Sequence, residues 1–143
     1  MLESAELKHQ KEQERRNKKL IERYWNGKWN ERRMEILDEL QSPDVVYHGT
    51  SMTMNGLEEY KQGYANYLSE SQNSSIEVLD LMAENDKVMS RCRLKYVPKE
   101  AGDKEVVVDA FTVFKVEHGK IVEEWEIFDE LGMMKQMGAE LPT

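Results

Sequence analysis

A chain of 143 residues fits one domain with a genuine core and leaves no room for a second. Its 39% hydrophobic and 34% charged residues, with three Trp, six Tyr and three Phe, argue against disorder throughout. No stretch approaches the roughly 20 apolar residues of a membrane span, the N-terminus is charged where a secretory signal is apolar, and the single cysteine, Cys92, excludes an internal disulfide and a multi-cysteine zinc site.

A cytoplasmic protein without a membrane partner is therefore expected. The net charge of -8 is unevenly placed: ten basic and six acidic residues lie up to Arg33, against ten basic and 22 acidic beyond it. The body repels phosphate backbones, so no nucleic-acid partner is expected.

From Ala5 to about Gly27 there is no Pro, Glu and Lys recur at helical spacing, and Leu20, Ile21, Tyr24 and Trp25 form an apolar stripe. This predicts a long helix, with residues 1–16 as a charged extension and 17–143 as the domain. Gly27 ends it, Asn30 is a favourable N-cap for a second helix carrying Met34, Leu37 and Leu40, and Pro43 stops that one. Asp44 to His48 reads as a short strand, Asn55 to Glu70 as a third helix, and Ser71 to Ser75 as a loop. Strands then follow at Ile76–Glu84, Val88–Val97, Val106–Val116 and Ile121–Phe128, with turns at Asn85–Lys87 and Glu117–Lys120, and a tail helix over Asp129–Met137. Helices first and an antiparallel meander after them predict an α+β domain: a strongly bent sheet covered by helices, with an apolar cone between them that suits a small hydrophobic molecule.

Two segments carry a family resemblance. Tyr24-Trp25-Asn26-Gly27-Lys28-Trp29-Asn30, with Met34 to Leu40 and Pro43 to His48 after it, resembles the N-terminal half of the SnoaL-like polyketide cyclases. Gly119-Lys120-Ile121-Val122-Glu123-Glu124-Trp125, then Asp129-Glu130-Leu131-Gly132 and Gln136-Met137-Gly138, resembles their C-terminal signature. The resemblance implies the nuclear transport factor 2-like cone, a homodimer, and ring closure by an intramolecular aldol reaction without cofactor, using an aspartate at the position of Asp129.

The residues allow a parallel reading. Asp129 and Trp125 are four apart on the last strand, so regular alternation points both, with Ile127, to one face. A carboxyl in an apolar cone beside an indole loses hydration, its charged form is disfavoured, and it becomes suited to moving a proton from carbon. Capping the tail helix is the competing role of Asp129. His48 shares a face with Val46; in the cone it could hydrogen-bond a substrate oxygen or exchange a proton with Asp129. Trp125, Tyr64 and Trp25 are the expected ligand-binding residues, Tyr64 also being readable as plain core. Arg91 and Arg93 share a face that is expected to be the outer one, and Glu123, Glu124 and Glu126 read as a solubilising charge run.

His9, His48 and His118 lie in unrelated elements, so no metal site is expected. The expected function is cofactor-free acid and base chemistry on a small hydrophobic carbonyl compound, with a non-catalytic binding module or a dimeric interaction domain of the same fold as alternatives.

Overall fold

Strand β6, Lys120–Phe128, lies between a parallel and an antiparallel neighbour, and the sheet is organised around it. The computed structural model describes residues 2–138. Met1, which belongs to the expected extension, and 139–143, which belong to the expected domain, lie outside the described residues. The other strands are β1 (Gln41–His48), β2 (Thr53–Asn55), β3 (Ser71–Glu84), β4 (Lys87–Pro98) and β5 (Val106–Glu117). They form one sheet in the order β2-β1-β6-β5-β4-β3, antiparallel except where β1 meets β6. The sheet is therefore mixed rather than a pure meander, because β1 must cross from the helical half of the chain to reach the last strand.

Helix α1 (Leu2–Trp25) runs unbroken through the expected extension and lays Ile21, Tyr24 and Trp25 on the concave face of the sheet. No described helix is long and apolar enough to cross a membrane. The rings of Tyr24, Trp25 and Phe114 meet with centroids 5.3 to 5.6 Å apart, in tilted and edge-on pairs that suit aromatic quadrupoles. Beyond Trp25 the backbone widens to a π-helix over Asn26–Asn30, with Glu31 N–H donating to the Asn26 carbonyl at 3.0 Å. Gly27 is required there: a Cβ would lie 2.7 Å from Cγ1 of Ile36. The extra residue per turn carries Lys28 into the interior, where it is 6% exposed.

The second helix, α2, is only Glu35–Leu40, and Asn30 closes the π-turn instead of capping it. Arg32, at φ 55°, donates to the carbonyls of Leu68 and Ser71 and to Ser74 Oγ, fastening the end of α3 (Leu57–Glu70). Residues 71–75, expected as a loop, begin β3. The last helix, α4 (Glu130–Gln136), follows directly from β6. Where β6 stops, the Gln136 side chain takes over the free edge of β5, bonding both the N–H and the carbonyl of Val107 at 2.8 Å.

Candidate functional site

A β-bulge decides what faces the cone. In the β5–β6 ladder Lys115 pairs with Glu123 while the next residue, Val116, pairs with Ile121, so Val122 is an extra residue on β6. Ile121 points inward, and regular alternation would send 123, 125 and 127 after it. The insertion reverses the phase, so Glu124, Glu126 and Phe128 point inward, opposite Phe114, Thr112 and Ala110.

The expected site residues are redistributed accordingly. Trp125 and Ile127 lie on the outer face, 36% and 70% exposed. Asp129 is exposed too, and its Oδ1 accepts the N–H of Gly132 at 2.9 Å as the N-cap of α4. The shielded acid that alternation placed there is absent, and the capping role is the one observed. His48 also faces outward: its ring stacks on Trp125 at 5.5 Å, and its Nε2 lies 2.6 Å from Glu123 Oε2. His48 and Trp125 are thus brought together, but away from the cone. Tyr64 is buried and donates to the Lys28 carbonyl at 2.6 Å, fixing the π-helix. Trp25 lines the cone and donates from Nε1 to Ser90 Oγ at 3.1 Å.

The inward face instead presents two carboxyl groups that the charge-run reading assigned to solvent. Glu126 lies on the wall of a cavity of about 50 Å³ bounded by Trp25, Trp29, Cys92, Val108 and Phe128. Its Oε1 accepts from the Tyr47 hydroxyl at 2.7 Å and its Oε2 from Thr112 Oγ1 at 2.9 Å, and each carboxylate oxygen can accept one bond more. Tyr47 reaches it because β1 alternates Val45 and Tyr47 inward, Val46 and His48 outward. Burial pushes the Cys92 thiol up to about 11, so it is an inert wall rather than a nucleophile.

Deeper in the cone Glu124 is 1% exposed. Its Oε1 accepts from Gln41 Nε2 at 2.9 Å, and the same Nε2 lies 3.2 Å from the Tyr24 hydroxyl. The hydroxyls of Tyr24 and Tyr60 are 2.6 Å apart, and Lys28 Nζ donates to both, at 3.3 Å to Tyr24 and more closely to Tyr60. Burial raises the Glu124 carboxyl above the usual carboxylate range, opposed by the charge of Lys28 and the Gln41 hydrogen bond. Burial likewise lowers the Lys28 amine, opposed by Glu124 and Glu126. Gln41 Oε1 is buried with no hydrogen-bond partner. The signal for these residues was in the sequence only as even-numbered positions on β6, and the bulge that makes those positions inward has no local signature.

On the outer face, Arg93 binds Asp109 through both carboxylate oxygens at 2.8 and 3.2 Å, and Arg91 binds Asp80 at 2.6 Å. An open cleft of about 480 Å³ lies beside Arg93, Lys95 and Asp129. Its charged groups are solvated and its arginine is already paired, so it offers little desolvation to a ligand. Among the described residues no group of three or more His, Cys, Asp or Glu is placed to hold a metal.

A curled, unclosed six-stranded sheet with helices over an apolar cone is a fold this chain shares with solved SnoaL-like proteins. The chain belongs to the SnoaL-like polyketide cyclase family, whose model matches residues 19–137. No curated protein matches the sequence. Among solved structures, a candidate SnoaL-like polyketide cyclase from Jannaschia sp. CCS1 is 18% identical, with 90% of this chain and 95% of that one covered and a TM-score of 0.77. IdmH, a candidate polyketide cyclase from Streptomyces antibioticus, is 20% identical over 86% and 99%, with a TM-score of 0.74. An LEH-like epoxide hydrolase of M. tuberculosis is 17% identical over 87% and 91%, with a TM-score of 0.75.

Proposed function

We propose that the protein performs cofactor-free acid and base chemistry on a small apolar carbonyl compound, with Glu126 moving the proton in place of Asp129. The observation that carries this reading is a carboxylate on the wall of an apolar cavity, oriented by two hydroxyl donors. Such an arrangement holds a base in one geometry while keeping water scarce around it. Membership of a family described as polyketide cyclases supports the reaction class. A cavity of about 50 Å³ is far below the several hundred Å³ of drug-sized sites, so the guest is small or inserts only its reactive end.

The test is proton exchange at the carbon next to the carbonyl, followed by NMR in D2O with cyclohexanone as probe. The protein accelerates exchange, and Glu126→Gln lowers the acceleration by about 10² to 10⁴, the range of a positioned base. Retained exchange in Glu126→Gln with loss in Asp129→Asn would overturn the assignment. Binding without exchange would make the protein a binding module.

A second reading concerns the outer face, where exposed Phe111, Trp125, Ile127 and Met82 form an apolar area bordered by paired charges. A second copy of the chain is its proposed occupant, giving a homodimer.

A further inference from the structure

Lys28 is buried at 6% exposure, and among the described residues no carboxylate lies within the 4.0 Å of a salt bridge to its Nζ. Its polar partners are two phenol hydroxyls, those of Tyr24 and Tyr60. Rings surround it: Trp29 at 4.6 Å, Tyr60 at 4.7 Å, Tyr24 at 5.2 Å and Trp25 at 5.5 Å. A charged ammonium gains from such rings, but it loses a hydration shell worth more than they return unless a carboxylate touches it. A surface lysine would need no π-helix to hold it here. The fold spends an irregular turn on turning this one side chain inward.

We propose that Lys28 is a nucleophilic amine that captures an aldehyde or ketone as a Schiff base in the cone. Trp25 and Trp29, which flank the amine, also line the cavity that Glu126 faces. The cavity accommodates a group the size of a carbonyl and its neighbouring carbons, and the four-carbon stem of lysine lets the amine turn toward it. In the step itself the nitrogen lone pair forms a bond to the carbonyl carbon, the carbon–oxygen π pair moves to oxygen, and the Tyr60 hydroxyl in contact with Nζ supplies its proton. The nitrogen then gives one of its two protons to the Tyr60 phenolate, which passes it to the same oxygen; that oxygen leaves as water, giving an iminium paired with the phenolate. Transfer of the neighbouring carbon's proton to Glu126 then gives an enamine, and only this last transfer rests on the Glu126 reading. The lowered basicity of Lys28 agrees with a free amine being present near neutrality.

The experiment is reductive trapping of the full chain with propanal and cyanoborohydride at neutral pH, read by peptide mass mapping. Lys28 is labelled at least about ten-fold faster than the exposed lysines, because the cavity holds the carbonyl beside an amine that burial makes less basic. Lys28→Arg removes the fast label. Should that variant fail to fold, Tyr60→Phe slows labelling at Lys28 relative to the exposed lysines. Labelling no faster than at the exposed lysines, or only after unfolding in urea, would overturn the proposal. In Glu126→Gln the label still enters Lys28; labelling by a wild-type protein that shows no proton exchange would sink the Glu126 role and keep the lysine.

Discussion

Tyr47 on β1 donates its phenol proton to Oε1 of Glu126 on β6 across 2.7 Å, tying together the two strands that pair in parallel among the described residues. The bond joins a residue next to the expected His48 with a residue next to the expected Trp125. Tyr47 is 8% exposed, and burial together with the Glu126 charge raises its phenol far above the ordinary value, so it stays a donor at all working pH. Tyr47→Phe therefore removes a hydrogen bond to a charged acceptor and is expected to cost about 1.5 to 3 kcal/mol. Urea unfolding measures this; a loss below about 0.5 kcal/mol would show the bond to be dispensable.

Asp129 is expected to act as a cap and nothing more. Asp129→Ala costs about 1 kcal/mol through the freed N–H of Gly132, whereas Asp129→Asn, an equally good cap, leaves stability nearly unchanged. Proton exchange with cyclohexanone is unaffected by either change. An exchange-dead Asp129→Asn of wild-type stability would return the catalytic role to this residue.

Glu124 makes stability depend on pH with a definite sign. Its folded pKa is raised above the ordinary 4.5, so above that value the unfolded chain releases a proton the folded one retains. Its favourable contribution is full below 4.5 and is lost as pH rises through the folded pKa. Wild type minus Glu124→Gln, measured by urea unfolding from about pH 4 to 8, is expected to fall with rising pH. A rising or flat difference contradicts a carboxyl disfavoured by burial.

The π-turn depends on Gly27. Gly27→Ala puts a Cβ 2.7 Å from the Ile36 side chain, an overpacking expected to cost about 1 to 3 kcal/mol. In an Ile36→Ala background Gly27→Ala costs less, because that change removes Cγ1 and Cδ1, two of the three side-chain atoms the new methyl meets. Additive losses in a double-mutant cycle would refute the clash.

For the outer face, Ile127→Asp is expected to convert a dimer into a monomer in sedimentation equilibrium, since it places charge on a residue 70% exposed in the isolated chain. A wild-type protein that sediments as a monomer at about 100 μM disposes of the dimer reading.

The architecture was legible in the sequence because its signals are local. Asn85 and the His118-Gly119 pair adopt positive φ in hairpin turns, so the turn chemistry of single residues sets the hairpins. The stripe Ile21, Tyr24 and Trp25 repeats at helical spacing, and it is buried. By residue type Asp129 suits both an acid and a cap, and the cap depends only on its place at a helix start, which is again local.

What lay beyond reach was the phase of β6 and the inward turn at Lys28. A bulge at Val122 is set by how β6 pairs with β5 and β1 at once, and the π-turn by the contact of Gly27 with Ile36. The order of helices and strands is written in short stretches of chain, each sufficient for its own element. Which carboxyl and which amine enter the cone was decided only by tertiary pairing, because one inserted residue reverses every side chain after it.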